Sequence, residues 1–228
     1  MTMSLKGRMI RRLAVGLAVA AAMLFLPAGS LRYWQGWVFL VVLMGVWVVL
    51  SSWLMKHSPD LMERRLQTKE KEPAQKVFQL LLTLIFFPAL TLPGFDFRYG
   101  WSRAWIGPMP WWVSVAGQAA VLAGSGLTFW VMWVNRFASR TIQVEAGQSV
   151  ICSGPYAVVR HPMYSGIAVM MLAVPLALGS YVALPVFALT IPLYVFRLIH
   201  EEGVLRRDLP RYPEYCERTR FRLVPGVW

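Results

Sequence analysis

Two short stretches of this chain carry residues able to do chemistry. One is Gly154-Pro155-Tyr156-Ala157-Val158-Val159-Arg160-His161-Pro162-Met163-Tyr164-Ser165-Gly166, and the other is Arg197-x-x-x-Glu201-Glu202. Arg160 and His161 stand immediately before Pro162, a residue suited to the first position of a helix. A helix start presents unpaired backbone N–H groups and a partial positive charge, so a carboxylate or similar anion would be held there. The alternative reading is an interfacial Arg-His anchor with a helix-starting proline. Arg197 and Glu201 are four residues apart and share a helix face, where they either pair with each other or turn together towards a ligand. Two adjacent carboxylates near Arg160 and His161 would make a site for a zwitterionic or cationic ligand. In that site Glu201 faces an amine or a sulfonium.

These polar groups stand out because the chain around them is that of a membrane protein. It is 57% hydrophobic and 15% charged, with a mean hydropathy of +0.50, and ionisable groups held at membrane depth mark functional sites by default. Crossing the hydrocarbon core takes about 20 apolar residues. The runs Leu13–Leu26 with its flanks, Trp37–Met55, Val77–Leu92 and Trp111–Val134 qualify. Ile167–Leu178 and Tyr181–Ile199 are parted only by Gly179-Ser180 and read as a tight hairpin. The expectation is therefore an all-α integral membrane protein of about six transmembrane helices. Residues 1–134 hold four spans, and residues 135–228 hold a polar loop, the hairpin and a tail.

Lysine and arginine fall mostly on one side of that topology, with only Arg32, Arg98 and Arg103 on the other. The positive-inside rule then makes both termini, Arg160-His161 and the glutamate pair cytoplasmic. The net charge of +12 belongs to a basic cytoplasmic surface drawn to anionic membrane lipids. No basic soluble domain exists that would bind nucleic acid. Arg11-Arg12, the apolar run and Ala28-Gly29-Ser30 imitate a signal peptide, yet a retained first span fits the charge rule better. Cys152 and Cys216 sit on the reducing side without metal-ligand spacing, so no metal is expected. Between the fourth span and the Arg-His-Pro stretch, Arg140–Glu145 alternates like an extended segment, Ala146-Gly147-Gln148 reads as a turn, and Val150-Ile151 resumes extension. Gly124-Ser125-Gly126 inside the fourth span marks either close helix packing or a groove beside a ligand.

Gly-Pro-Tyr, Arg-His-Pro-x-Tyr-x-Gly, Arg-x-x-x-Glu-Glu, Tyr212-x-x-Tyr215 and the closing Pro225-Gly226 together resemble the isoprenylcysteine carboxyl methyltransferase family, with phospholipid N-methyltransferases as broader relatives. The resemblance covers roughly Asn135 to Trp228. It implies S-adenosyl-L-methionine bound at the cytoplasmic side without a Rossmann domain. By position it assigns Gln143, Gln148, Ser149, Val150, Ile151, Tyr156, His161, Pro162, Tyr164 and Glu201 to the cofactor, and Arg160 joins them as the residue beside His161 at the helix start. Gln148 replaces a histidine common in the family. Arg197 matches a position at the methyl acceptor and is taken as catalytic together with the adjacent carboxylate Glu202, and Gly124-Ser125-Gly126 looks like the Gly-x-Gly of the phospholipid branch. The implied partners are membrane lipids and a lipophilic or small acceptor, in a bacterial inner membrane, with the acceptor entering sideways through the hairpin. A carboxylate acceptor leads. An amine, a thiol, a relation to nicotinamide-dependent sterol reductases, and a non-enzymatic membrane partner are the alternatives.

Overall fold

The computed structural model describes residues 4–66, 73–138, 144 and 147–228. Its described residues form helices and connecting loops, with no strand among them. Helix α1 (Leu5–Ala28) is capped by Ser4, whose hydroxyl accepts from the Gly7 amide at 3.2 Å, and it ends on Gly29 at φ 59°, the left-handed stop that glycine makes cheaply. Helix α2 spans Trp34–His57, and the short charged α3 spans Pro59–Leu66. Then come α4 (Pro73–Tyr99), α5 (Trp101–Trp105) and α6 (Trp111–Val134). After a loop and a 3-10 turn at Gly154–Ala157 come α7 (Pro162–Ala177), α8 (Ala183–Ala188), α9 (Thr190–Asp208) and α10 (Tyr212–Arg218).

Among the described residues, five helical stretches are long and apolar enough to cross a membrane: α1, α2, Gln75–Tyr99 of α4, α6, and α8 running through Leu189 into α9. The expected span Ile167–Leu178 lies in α7, which has 16 residues and so measures about 24 Å at 1.5 Å per residue. That falls short of a hydrocarbon core of about 30 Å. Pro162 starts the helix and the Gly179-Ser180 break ends it. The apolar pattern shows that the segment is buried, but not that it stops early. Helix α7 lies against α6 with small residues facing each other. A β-carbon at Gly124 would stand 2.6 Å from the Gly166 carbonyl oxygen, and one at Gly117 2.4 Å from the Ala177 nitrogen. Of the two readings of Gly124-Ser125-Gly126, Gly124 is therefore packing. Gly126 faces open space.

At the end of the bundle opposite the Arg-His-Pro stretch, one buried carboxylate ties three elements together. Asp96 of α4 accepts from the Ser102 amide at 2.7 Å, from the Ser102 hydroxyl and from the Ser180 hydroxyl at 2.5 Å. The Ser102 hydroxyl in turn accepts from the amides of Tyr181 (2.9 Å) and Val182 (3.1 Å). Beside it, Tyr33 donates to the Leu178 carbonyl at 2.6 Å, and Gln118 Nε2 donates to the Ala177 carbonyl at 3.2 Å. Replacing Asp96 by alanine leaves Ser102 and Ser180 without their acceptor in an apolar setting. The expected loss is about 2 kcal/mol or more, seen as a lower unfolding midpoint in detergent with no change at the distant polar cleft.

Candidate active site

The polar stretch singled out in the sequence converges at the other end of the bundle, where α7 begins and α9 and α10 finish. Arg160 and His161 are fixed by their backbones, because their amides donate to the carbonyls of Phe221 and Arg222, each at 2.9 Å. The tail thus forms an edge on which the start of α7 rests, and Ser165 Oγ adds a bond to the Leu223 carbonyl at 2.7 Å. His161 occupies the cap position and Pro162 the first turn, where a missing amide costs nothing.

The two glutamates, adjacent in sequence, part company here. Glu202 is 4% exposed and is surrounded by positive groups. Its Oε1 lies 3.1 Å from Arg160 Nε and 3.2 Å from His161 Nε2, and its Oε2 accepts from Arg222 Nε at 3.0 Å. A carboxylate only accepts, so the His161 proton sits on Nε2. Tyr212 OH stands 3.5 Å from the same nitrogen. The Arg222 guanidinium also lies over the Trp228 ring, 5.1 Å from its centroid. Glu202 is therefore the hub that holds the α7 start, α9 and the tail together.

Glu201 lines a cleft instead, with Tyr156, Arg160, His161, Pro162, Tyr164, Arg197 and residues Gln148, Ser149, Val150 and Ile151. Its far wall is apolar and aromatic: Val204, Leu205, Leu209, Tyr212 and Tyr215. At the floor, Tyr164 donates to Glu201 Oε2 at 2.5 Å and accepts from Arg197 Nε at 3.0 Å. Arg197 and Glu201, the pair that would join directly across one helix turn, are thus linked through a tyrosine of another helix. Gln143 lies outside the described residues. The expected extended run Arg140–Glu145 and the turn at Ala146 lie largely outside them too, while Gly147 has φ 77°, as a turn there requires.

Several residues of this site gave no signal in the sequence. Gln75, at the start of α4, is fully buried and accepts from Arg197 Nη1 at 2.9 Å. The Arg197 guanidinium also lies 5.0 Å from the Phe78 ring centroid. Tyr194 bridges the rings of Phe78 (5.5 Å) and Tyr164 (6.0 Å). Asn135, at the end of α6, donates to Tyr156 OH at 2.8 Å, and the Tyr156 carbonyl accepts from Tyr215 OH at 2.7 Å. Burial pushes the Tyr156 phenol up to about 12; the Asn135 bond pulls it back and the Glu201 charge pushes it further. Burial likewise raises Tyr212 and Tyr215. These phenols stay neutral and act as hydrogen-bonding groups at physiological pH.

Replacing Gln75 by alanine removes one acceptor from the buried Arg197 guanidinium. The expected cost is about 1–3 kcal/mol. A lower unfolding midpoint in detergent would check this.

Fold and site together define an all-α, multi-pass membrane protein with a polar cleft at one end of its bundle. Residues 112–210, from α6 to just beyond α9, match the phospholipid methyltransferase family, a match that overlaps the stretch whose motifs resemble such enzymes. Among curated proteins it is similar to Delta(14)-sterol reductase TM7SF2 of Mus musculus, at 32% identity over 93 residues, which are 39% of this chain and 22% of that one. It is also similar to the uncharacterized protein YpbQ of Bacillus subtilis (strain 168), at 26% identity over 83 residues, 36% of this chain and 48% of that one. The chain thus matches about a fifth and about half of these relatives' lengths. Among solved structures, a eukaryotic intramembrane Ras methyltransferase, isoprenylcysteine carboxyl methyltransferase, aligns with a TM-score of 0.49 at 14% identity, covering 96% of this chain and 86% of that one.

Proposed function

We propose that the protein is an S-adenosyl-L-methionine-dependent methyltransferase of the bacterial inner membrane, with its cleft facing the cytoplasm and a lipophilic carboxylate as acceptor. The observation that carries this reading is the joining of Glu201, Tyr164 and Arg197 in one cleft at the rim of the bundle. The methyl donor has a carboxylate, an ammonium, a sulfonium and an apolar adenine, and the cleft has a counterpart for each class of group. The start of α7 with His161 and Pro162 suits the carboxylate. Glu201 suits the cationic groups. The wall of Val204, Leu205, Leu209 and Tyr212 suits the ring, and Gln148–Ile151 line the same cleft; Gln143 is assigned to the donor by the resemblance alone. The bound donor supplies an already activated methyl group.

The chain's own residues then have three tasks. Arg197, held by Tyr164 and Gln75, orients the acceptor carboxylate. Burial at the rim excludes water, which strengthens that charge pairing. Proximity does the rest. Transfer of the donor's methyl group to an acceptor carboxylate oriented by Arg197 would give a methyl ester and a neutral thioether, the electron pair of the broken carbon–sulfur bond staying on sulfur. No proton is transferred, because a carboxylate is already ionised at neutral pH. An amine acceptor would need a proton taken up, and among the described residues His161 is already committed to Glu202.

The test is titration of detergent-purified protein with S-adenosylhomocysteine, followed by transfer of radiolabelled methyl to prenylcysteine analogues and membrane lipid extracts. Saturable binding and alkali-labile product are expected. Absence of binding at millimolar ligand would overturn the enzyme reading and favour a non-enzymatic membrane partner, and alkali-stable product would move the acceptor to an amine or a thiol. The likeness to a sterol reductase favours a second reading, a nicotinamide-dependent reductase, which requires binding of NADPH in place of S-adenosylhomocysteine.

A further inference from the structure

Helices α6 and α7 lie side by side but do not reach the same level at the cleft end. Their register is set where Gly124 meets the Gly166 carbonyl and Gly117 meets Ala177. From Gly124, α6 runs on to Val134, about 15 Å at 1.5 Å per residue, whereas from Gly166 α7 reaches back to Pro162, about 6 Å. The other end of α7 is level with its neighbours. There the Leu178 carbonyl accepts from Tyr33, just before α2, and Ser180 donates to Asp96 in the last turn of α4. The shortfall of α7 is therefore a step of about 9 Å at the cleft end, beside the exposed Trp130 and Trp133 of α6. Exposed tryptophans near the end of a spanning helix mark the headgroup level, so the floor of this step lies within the leaflet.

The tail runs along that floor. The carbonyls of Phe221 and Arg222 accept from the Arg160 and His161 amides, and the Leu223 carbonyl accepts from the Ser165 hydroxyl. The chain then closes into a tight turn. The amides of Leu223 and Val224 donate to the Trp228 carbonyl at 2.9 and 3.1 Å, those of Val227 and Trp228 donate to the Val224 carbonyl, each at 3.1 Å, and Gly226 takes φ 79°. Four backbone donors are thus satisfied within the turn, as a segment entering lipid requires. Its exposed side chains are apolar: Phe221, Val224 at 50% and Val227 at 78%. Arg218 and Arg220, both exposed, stand just before it. Valines at the tip and arginines at the base suit the boundary between acyl chains and headgroups, where apolar groups enter lipid and cations meet phosphate.

We propose that residues 221–228 form a lipid-inserted foot. Phe221, Val224 and Val227 enter the acyl boundary of the leaflet on the cleft side, in the step left by α7, and Arg218 and Arg220 hold the phosphates of anionic lipids. The partner is the bilayer itself. The same segment carries Arg222 to Glu202, so the leaflet holds one edge of the polar cleft. This seating of the chain stands whether or not the cleft takes a methyl donor.

The experiment uses the full chain in nanodiscs of phosphatidylcholine and phosphatidylglycerol, in a Cys152→Ser background. A nitrobenzoxadiazole dye is placed on Val227→Cys and, as the reference in water, on Glu217→Cys of α10. Lipid spin-labelled near the headgroup end of its acyl chain should quench the dye at position 227 several-fold more than at 217, and aqueous iodide should do the reverse. Spin-labelled phosphatidylglycerol should reach the same quenching at about fivefold lower mole fraction than spin-labelled phosphatidylcholine, the gain of one arginine beside an anionic surface. Arg218→Gln with Arg220→Gln should remove that difference. With the dye on Val224→Cys, Val227→Asp should move it into water, while the buried Cys216 stays unreactive and reports an intact fold. Iodide quenching at 227 equal to that at 217 would overturn the inference, as would lipid quenching that survives Val227→Asp. Protection from both quenchers would mean burial against a second copy and would equally overturn it. Equal quenching by the two lipids in the chain with both arginines would overturn their role at the phosphates.

Discussion

Replacing Glu202 by alanine is expected to destabilise the protein by about 3–5 kcal/mol, the usual consequence of removing one partner from a buried ion pair, and to abolish donor binding. Glu202 holds Arg160, His161 and Arg222 within 3.2 Å of its two oxygens. Without it, three groups able to carry positive charge crowd one buried space, and the tail loses its link to α9. Glutamine at this position keeps the shape and accepts one bond, so it should fall between wild type and alanine. The structure supplies its own reporter for the measurement. Cys216 is buried in α10 among Leu209, Tyr212 and Tyr215, next to this hub. A thiol-reactive dye in a Cys152→Ser background, which removes the exposed cysteine, should therefore respond to unfolding of this region. An unchanged midpoint for Glu202→Ala would show that the hub is not what holds the site.

The second large effect separates donor from acceptor at neighbouring positions. Glu201→Gln should weaken S-adenosylhomocysteine binding by about 10- to 100-fold, since one interaction between a charge and its partner is worth about 1.5–3 kcal/mol. Arg197→Lys should leave that binding within a few-fold and lower the transfer rate by about 100-fold, because an ammonium cannot reproduce the planar fork that Tyr164 and Gln75 hold. Tyr164 OH lies between the two, donating to Glu201 and accepting from Arg197. Tyr164→Phe should therefore move both quantities, and its combination with Glu201→Gln should be less than additive. If Arg197→Lys lost donor affinity and kept turnover, the two roles would have to be exchanged.

Much of this site was legible because its chemistry is concentrated in two short stretches. Arg160, His161, Pro162, Tyr164, Arg197 and Glu201 do line one cleft, and a proline after a histidine was enough to place the start of α7. What stayed hidden depends on contacts between distant parts of the chain. Gln75 meets Arg197 across 122 residues, yet in sequence it is only a polar residue at the edge of an apolar run. Arg222 and Trp228 read as tail, and their role depends on the tail folding back over the start of α7. Read from sequence, Glu201 belongs to the cofactor and Glu202 to catalysis, whereas helix geometry turns Glu201 into the cleft and buries Glu202 beside Arg160, His161 and Arg222. Hydropathy located the buried segments, but it does not measure depth. It therefore counted α7 as a span although its 16 residues end at a glycine turn.

The Asp96 bond network at the far end has a consequence for how the molecule moves. It fastens the α7–α8 turn to α4 and α5 through the hydroxyls of Ser102 and Ser180, while at the other end Glu202 and Tyr164 tie the start of α7 to α9. Helices α7 and α9 are thus pinned at both ends, like two rails joined by a tie at each end. A ligand entering the cleft meets walls that are already braced against one another. Amide exchange should accordingly be slow both around Leu178–Ala183 and around Tyr164 and Glu202.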